Sequence, residues 1–341
     1  MRTERLGLAA LLTVTVVWGT TFPAMKQLST DLSALQIIWL RFGLAALVLL
    51  PLWRGIRRAE WRWGLGLGVL NFLAFWLQIE GLALTTSNRN AFVTGLNVLL
   101  VPLIAWLVLR RRTGWQVWAA CALAVAGMCL MFFEDTPWNR GDTLTLCSAV
   151  VYALYILGLE AAARRHQAAP LRATRMAAAL AGSMWTCTTL MLWLQPQGFE
   201  RLQTQAQALS PGAWLAIAYL GLVASALVVV LQAWGQQRLD AMRSAIVFGL
   251  EPVFAALTAW WLIDERMGAL ALCGAALMVV ALIFSQWTPP QAAPCARRLH
   301  HVPAACLRPR QSPTPDAQYR AAGGVRTRLC CAPCKAEHPI P

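Results

Sequence analysis

Three charged side chains stand out deep inside long apolar stretches of this chain, away from their ends: Arg41, Glu80 and Glu251. Charged groups at such depth are costly and mark paths for ions, protons or substrates. In the helices expected there, Arg41 lies about two turns and Glu80 about one turn from the same membrane face. By depth they can approach one another as an intramembrane charge pair, which lowers the cost of burying both. Glu251 has no equally deep basic partner. Its chemistry is that of a carboxyl able to take up a proton or a cation during a transport cycle; the structural alternative is a hydrogen bond to a helix break beside Pro252.

Around these charges stand neutral side chains suited to lining a polar cavity: Trp18, Thr20, Asn71, Trp76, Gln78, Asn97, Tyr152, Tyr155, Gln232 and Trp234. Pro23, Pro102 and Pro252 fall inside apolar runs, where each removes a backbone hydrogen bond and can break a helix. Broken helices line the site or act as hinges in many transporters.

Other chemistries find no footing. The histidines (166, 300, 301 and 338) lie outside the apolar runs, so no imidazole relay is available there. There is no Gly-rich phosphate loop ending in Gly-Lys-Ser/Thr, so ATP is not expected to drive the chain directly. No metalloprotease helix or catalytic triad is legible, and no enzyme activity or cofactor is expected. Cys330-Cys331-x-x-Cys334 with His338 has zinc-ligand types, but it is one motif in a proline-rich tail, and no metal is expected.

The elements that must position these residues follow from composition. Of 341 residues, 58% are hydrophobic and 13% charged, about half the charged share usual in soluble domains. Ten apolar runs recur, at roughly 6–26, 34–53, 63–84, 91–109, 115–133, 142–160, 174–194, 212–234, 244–263 and 268–287. Runs of this length span a bilayer as helices. Cysteines 121, 129, 147, 187 and 273 sit within them and act as small hydrophobes.

The net charge of +14 is not a nucleic-acid footprint. With the N-terminus placed in the cytoplasm, 15 arginines, from Arg2 and Arg5 to Arg238 and Arg243, flank the N-terminus and even-numbered connections. The odd-numbered connections hold only five basic residues: Lys26, Arg89, Arg140, Arg201 and Arg266. That bias predicts cytoplasmic N- and C-termini. Tryptophans 53, 61, 63, 115, 214 and 287 near span ends serve as interfacial anchors.

The chain also repeats itself. At an offset of 154 residues, Leu77-Gln78 lies over Leu231-Gln232, Gly81 over Gly235, Arg89 over Arg243, and Gly95-Leu96 over Gly249-Leu250. The same register sets Asn97 over Glu251. Two halves of five spans each must point in opposite directions, because five is odd; inverted repeats of this kind place a substrate site at the midplane between them. The expected organisation is therefore all-α and polytopic: a first five-helix repeat over 1–133, a second over 142–287, and a disordered cytoplasmic tail over 288–341.

Several local sequences resemble the EamA family of the drug/metabolite transporter superfamily. They are Val17-Trp18-Gly19-Thr20-Thr21-Phe22, Trp39-Leu40-Arg41-Phe42, Ala91-Phe92-Val93-Thr94-Gly95-Leu96 and Val101-Pro102-Leu103. In the second half Leu250-Glu251-Pro252-Val253-Phe254-Ala255-Ala256, continuing to Asp264-Glu265-Arg266, is the most specific. The resemblance covers about 1–287 and departs where Arg111-Arg112 replaces the family's usual Glu-Arg. It implies two inverted five-helix repeats, alternating access and, usually, export of amino acids or other small metabolites.

The resulting expectation is a permease of a bacterial-type inner membrane that exports a small metabolite, with a proton or cation as a possible coupled partner. A phosphorylated-metabolite antiporter is an alternative, although only Arg41 is deep enough to meet a phosphate. A non-transporting membrane scaffold is another. A lipid-modifying enzyme would need clustered ligands or nucleophiles near one interface. Substrate, coupling ion and oligomeric state have no sequence signal.

Overall fold

A computed structural model describes residues 2–111, 113–131, 137–263 and 268–286. The expected tail with its cysteine–histidine cluster, Arg112 and the Asp264-Glu265-Arg266 segment lie outside the described residues. Among those described, every regular element is helical: α1 Arg2–Gly19, α2 Thr21–Leu28, α3 Ala34–Leu49, α4 Arg58–Leu84, α5 Ser87–Gly95, α6 Asn97–Leu107, α7 Trp115–Met131, α8 Arg140–Arg165, α9 Ala173–Leu194, α10 Gly198–Ala208, α11 Pro211–Gly221, α12 Val228–Gly235, α13 Ala241–Phe248, α14 Glu251–Ile263 and α15 Ala269–Gln286.

Eight helical segments are long and apolar enough to cross a membrane: Thr3–Leu28, Ala34–Trp53, Arg58–Leu84, Arg89–Leu107, Arg140–Arg165, Ala173–Leu194, Pro211–Gly235 and Ala241–Thr258. The fifth and tenth expected spans appear as shorter apolar helices, Trp115–Leu130 and Leu272–Ser285, and α7 packs along α15. Between the seventh and eighth spans the chain forms an additional helix, α10, where the sequence predicted only a connection.

Four spans are interrupted, and the first interruption has a local cause. The first divides at Gly19–Thr20 because the Pro23 ring excludes the backbone bond to the carbonyl four residues earlier. Thr20 and Thr21 donate their hydroxyls to the Val17 and Trp18 carbonyls at 2.7 and 2.8 Å, so the bend leaves those acceptors satisfied. The eighth span carries a π turn over Leu222–Leu227. The fourth divides at Leu96 and the ninth at Gly249–Leu250.

Pro102 departs from expectation. It sits inside a continuous α6, six residues beyond the break it was expected to cause. A proline there strips the hydrogen bond from the Val98 carbonyl, and the Cys121 thiol donates to that carbonyl at 3.0 Å. Pro252 is the second residue of α14, a position where a missing N–H costs nothing.

Small residues set the tightest helix contacts, as is usual in membranes. The alanine-dense α9 buries Ala177, Ala178, Ala179 and Ala181 completely, and a Cβ added to Gly64 of α4 would fall 2.5 Å from Ala179 Cβ. On its other side α4 meets α8, where Ser148 donates to the Ala74 carbonyl at 2.7 Å. Both ends of α8 are tied to the first half of the chain. Near its start the fully buried Asp142 accepts from Arg89 at 2.8 Å and Thr85 at 3.1 Å; near its end Glu160 accepts from Arg111 and, at 2.7 Å, from Arg164.

Candidate functional site: a central polar cavity

Where α1, α2, α4, α5, α8 and α14 converge, they line a cavity of ≈ 30 Å³. That is room for a water or two, far short of a metabolite pocket. Its wall is Trp18 from α1; Thr21, Phe22 and Met25 from α2; Ala74, Phe75 and Gln78 from α4; Thr94 from α5; Ser148 and Tyr152 from α8; and Glu251 from α14.

Glu251 is the first residue of α14, immediately past the break in its span, and is 7% exposed. Its carboxyl has no hydrogen-bond or ion-pair partner among the described residues and opens onto the cavity. A carboxylate so placed is costly as a bare anion; a proton, a cation or a cationic group of a bound molecule completes it. Opposite stands Trp18, edge-on to Tyr152 at 5.8 Å and tilted against Phe248 at 5.3 Å. Its indole N–H is buried with no acceptor, a state native interiors rarely leave unexplained. Gln78 donates to the Thr94 hydroxyl at 3.1 Å, tying α4 to the last turn of α5 just before the break at Leu96.

Behind Tyr152 lies a second polar layer. Gln232 donates to the Tyr152 hydroxyl at 2.7 Å, and its amide oxygen accepts from Tyr155 at 3.4 Å. Tyr155 and Gln232 therefore hold the cavity wall without forming it. Asn97 is likewise displaced from the lining: it opens α6 as Glu251 opens α14, donates to the Thr94 carbonyl at 2.8 Å, and keeps a buried side-chain oxygen without a donor.

Other expected lining residues face elsewhere. The Thr20 hydroxyl pairs with Tyr219. Asn71 turns to α9 and donates to Met184 Sδ at 3.1 Å. Trp76 stacks on Phe72 with ring centres 6.1 Å apart and donates to Glu80 at 3.2 Å. Trp234 sits beneath the Arg238 guanidinium, 3.6 Å from its ring centre.

The expected Arg41–Glu80 pair does not form. Arg41 is 1% exposed, donates to Ser225 Oγ at 2.8 Å and to the Ala224 carbonyl at 3.1 Å, and contacts Met25 Sδ at 3.4 Å. Its guanidinium also lies 4.8 Å from the Phe75 ring centre and 5.2 Å from that of Phe42, a placement in which the ring quadrupoles offset part of the charge. Ser225 and Ala224 belong to the π turn. Such turns cluster at functional sites because they redirect backbone carbonyls, and this one supplies the acceptor that the sequence reading assigned to Glu80.

Apolar helices of spanning length packed around a small polar cavity with a buried carboxyl define a multi-pass helical membrane protein. A sequence model of the EamA-like transporter family matches residues 5–133 and again 139–286. The chain belongs to the EamA-like transporter family. Two uncharacterized transporters of Archaeoglobus fulgidus are similar to it. One is 27% identical over 278 residues, spanning 82% of this chain and 84% of the relative; the other is 25% identical over 285 residues, spanning 83% and 97%. The uncharacterized transporter YyaM of Bacillus subtilis is 23% identical over 291 residues, 80% of this chain and 91% of its own. A solved crystal structure matches with a TM-score of 0.63 at 16% identity, covering 82% of this chain and 96% of its own, a likeness of fold.

Proposed function

We propose that the chain is a secondary transporter that exports a small metabolite such as an amino acid across a bacterial-type inner membrane, with both termini cytoplasmic. Its ten spans form two inverted five-helix repeats that rock about the central cavity to give alternating access. The family model matching the chain once in each half supports the repeat, as do the breaks at Leu96 and Gly249–Leu250, which place Asn97 and Glu251 at corresponding helix starts.

The observation that carries the reading is the Glu251 carboxyl, buried, unpaired and open to the cavity. It binds the coupling proton or cation, or the ammonium group of an amino acid. Trp18 offers its free indole N–H to the same solute, and Gln78, Thr94, Ser148 and Tyr152 supply neutral hydrogen-bonding groups around it. The cavity of ≈ 30 Å³ is too narrow for a metabolite, so the helices that line it must separate to admit one. No carboxylate among the described residues holds Arg41, yet its Met25 and Phe75 neighbours stand between it and the cavity, which weighs against a phosphorylated substrate.

Thermal unfolding of the purified protein against a panel of amino acids and related metabolites finds a binder as a rise in Tm. Counterflow in proteoliposomes then tests transport. Accelerated uptake of labelled solute into vesicles preloaded with the unlabelled solute is the expected result. Binding without counterflow contradicts a carrier and leaves a receptor or scaffold.

A further inference from the structure

A furrow of ≈ 500 Å³ runs between α4 and α8 at the arginine-rich end of the bundle, away from the central cavity. Arg62 and Arg165 line its head together with Trp63 and His166. Neither arginine has a hydrogen-bond or ion-pair partner among the described residues. The nearby carboxylates are already taken: Glu60 accepts from Arg57, and Glu160 from Arg111 and Arg164. Trp63 donates to His166 Nε2 at 3.1 Å, which leaves the other ring nitrogen to carry the proton and act as a donor.

Below this cationic head the furrow turns apolar. Leu67 and Leu70 form its floor, and two glycines keep it open. A Cβ on Gly66 would meet nothing within 4 Å, and one on Gly158 would meet only the tip of Leu67. Along α8 the stripe through Arg165 and Gly158 continues to Leu154, Val150 and Cys147, all exposed. Helical spacing puts these residues on one face. A basic head joined to an exposed apolar lane about three turns long has the dimensions of a headgroup with its acyl chain.

We infer that the furrow between α4 and α8 is a binding site for an anionic phospholipid, its phosphate held by Arg62, Arg165 and His166 and an acyl chain laid over Gly66 and Gly158. A free phosphate would use the head alone and leave the apolar lane without a role. Basic pockets between membrane helices on the cytoplasmic side are where anionic headgroups gather, and the arginine bias assigns this end of the bundle to that side.

The test uses the purified full chain in a neutral detergent, titrated with phosphatidylglycerol, phosphatidylcholine or inorganic phosphate while its Tm is followed. Phosphatidylglycerol raises the Tm, and the other two do not. Arg62→Gln combined with Arg165→Gln, and separately Gly66→Leu, each weaken the apparent phosphatidylglycerol affinity by about tenfold or more. Arg54→Gln with Arg58→Gln removes the same charge outside the furrow and leaves the affinity unchanged. Unaltered affinity in both furrow variants overturns the site. An equal loss in the Arg54/Arg58 variant replaces it with diffuse surface charge, and an equal shift from inorganic phosphate replaces the lipid with a soluble anion.

Discussion

Gly95 packs directly against Pro252: a Cβ built on the glycine would lie 3.5 Å from the proline Cγ. The reciprocal contact joins Gly249 to Val98, again 3.5 Å from a built Cβ. Positions 249 and 252 are positions 95 and 98 advanced by the same 154 residues that align the two halves of the sequence. Such reciprocal contacts, in which i meets j′ and j meets i′, are the kind that the proposed inverted repeats would make. The two broken spans therefore cross at their breaks, with Asn97 and Glu251 one residue inward from Leu96 and Leu250.

Trp18 and Trp76 were equal candidates by residue type, and the structure separates them. Trp18→Phe keeps an aromatic ring in the cavity wall but removes the unpaired indole N–H. We predict that it weakens substrate affinity by about five- to thirtyfold, the worth of one hydrogen bond of about 1–2 kcal/mol. Trp76→Phe alters the stack on Phe72 and the bond to Glu80, neither of which lines the cavity, and leaves affinity unchanged. Concentration dependence of counterflow for the two variants checks the distinction.

Arg41 draws its partners from the π turn, and energetic coupling should follow. A double-mutant cycle between Arg41→Met and Ser225→Ala is predicted to give an interaction energy of about 0.5–3 kcal/mol in unfolding, and the cycle between Arg41→Met and Glu80→Gln about zero. Reversible unfolding in mixed micelles measures both. Strong coupling to Glu80 would restore the charge pair expected from depth alone.

Gly64 and Gly66 are two residues apart on α4 and face opposite situations. An alanine at 64 must push α9 away, since its Cβ would fall 2.5 Å from Ala179 Cβ and 3.0 Å from the Met176 carbonyl. Gly64→Ala should destabilise the protein by about 1–3 kcal/mol. Gly66→Ala meets nothing and should be neutral or stabilising by up to about 1 kcal/mol through helix propensity. Comparison of Tm values decides.

Asp142 is 0% exposed and takes hydrogen bonds from the Thr85 hydroxyl and the Asn139 N–H besides its contact with Arg89. Asp142→Ala should cost about 1–3 kcal/mol, because it removes the charged acceptor that Arg89 and the Thr85 hydroxyl share. A Tm within a degree of wild type would contradict this placement.

Much of the architecture was legible because lipid imposes a simple rule: apolar runs of span length become helices. Eight of the ten runs are helices of spanning length, and the Leu250-Glu251-Pro252 signature led to the residue that opens onto the cavity. Azimuth was harder to read than depth. Arg41 and Glu80 were matched by depth, but Glu80 is turned toward Trp76. Helical periodicity already argued against putting Trp76 and Gln78 on one wall, since two residues are about 200° apart around the axis. The π turn at 222–227 left no trace, as Leu-Val-Ala-Ser-Ala-Leu reads like any apolar helix. Thr21, Thr94 and Ser148 went unnoticed for a related reason. A lone hydroxyl in an apolar run commonly bonds its own helix backbone, and only the packed structure shows which of them meet a void. The break at Leu96 has no proline or charge to announce it; the matching break at Gly249–Leu250 was its only sign.

The unpaired Glu251 carboxyl is the centre of the account, and solute flux through proteoliposomes at a series of pH values addresses it most directly. Glu251→Gln is close to isosteric and breaks no hydrogen bond or ion pair among the described residues, so it should fold with a Tm near wild type. The account predicts that this variant loses concentrative flux by about tenfold or more and that its remaining flux no longer varies with the pH gradient. A Glu251→Gln protein that transports at the wild-type rate, with the wild-type response to pH, would contradict it.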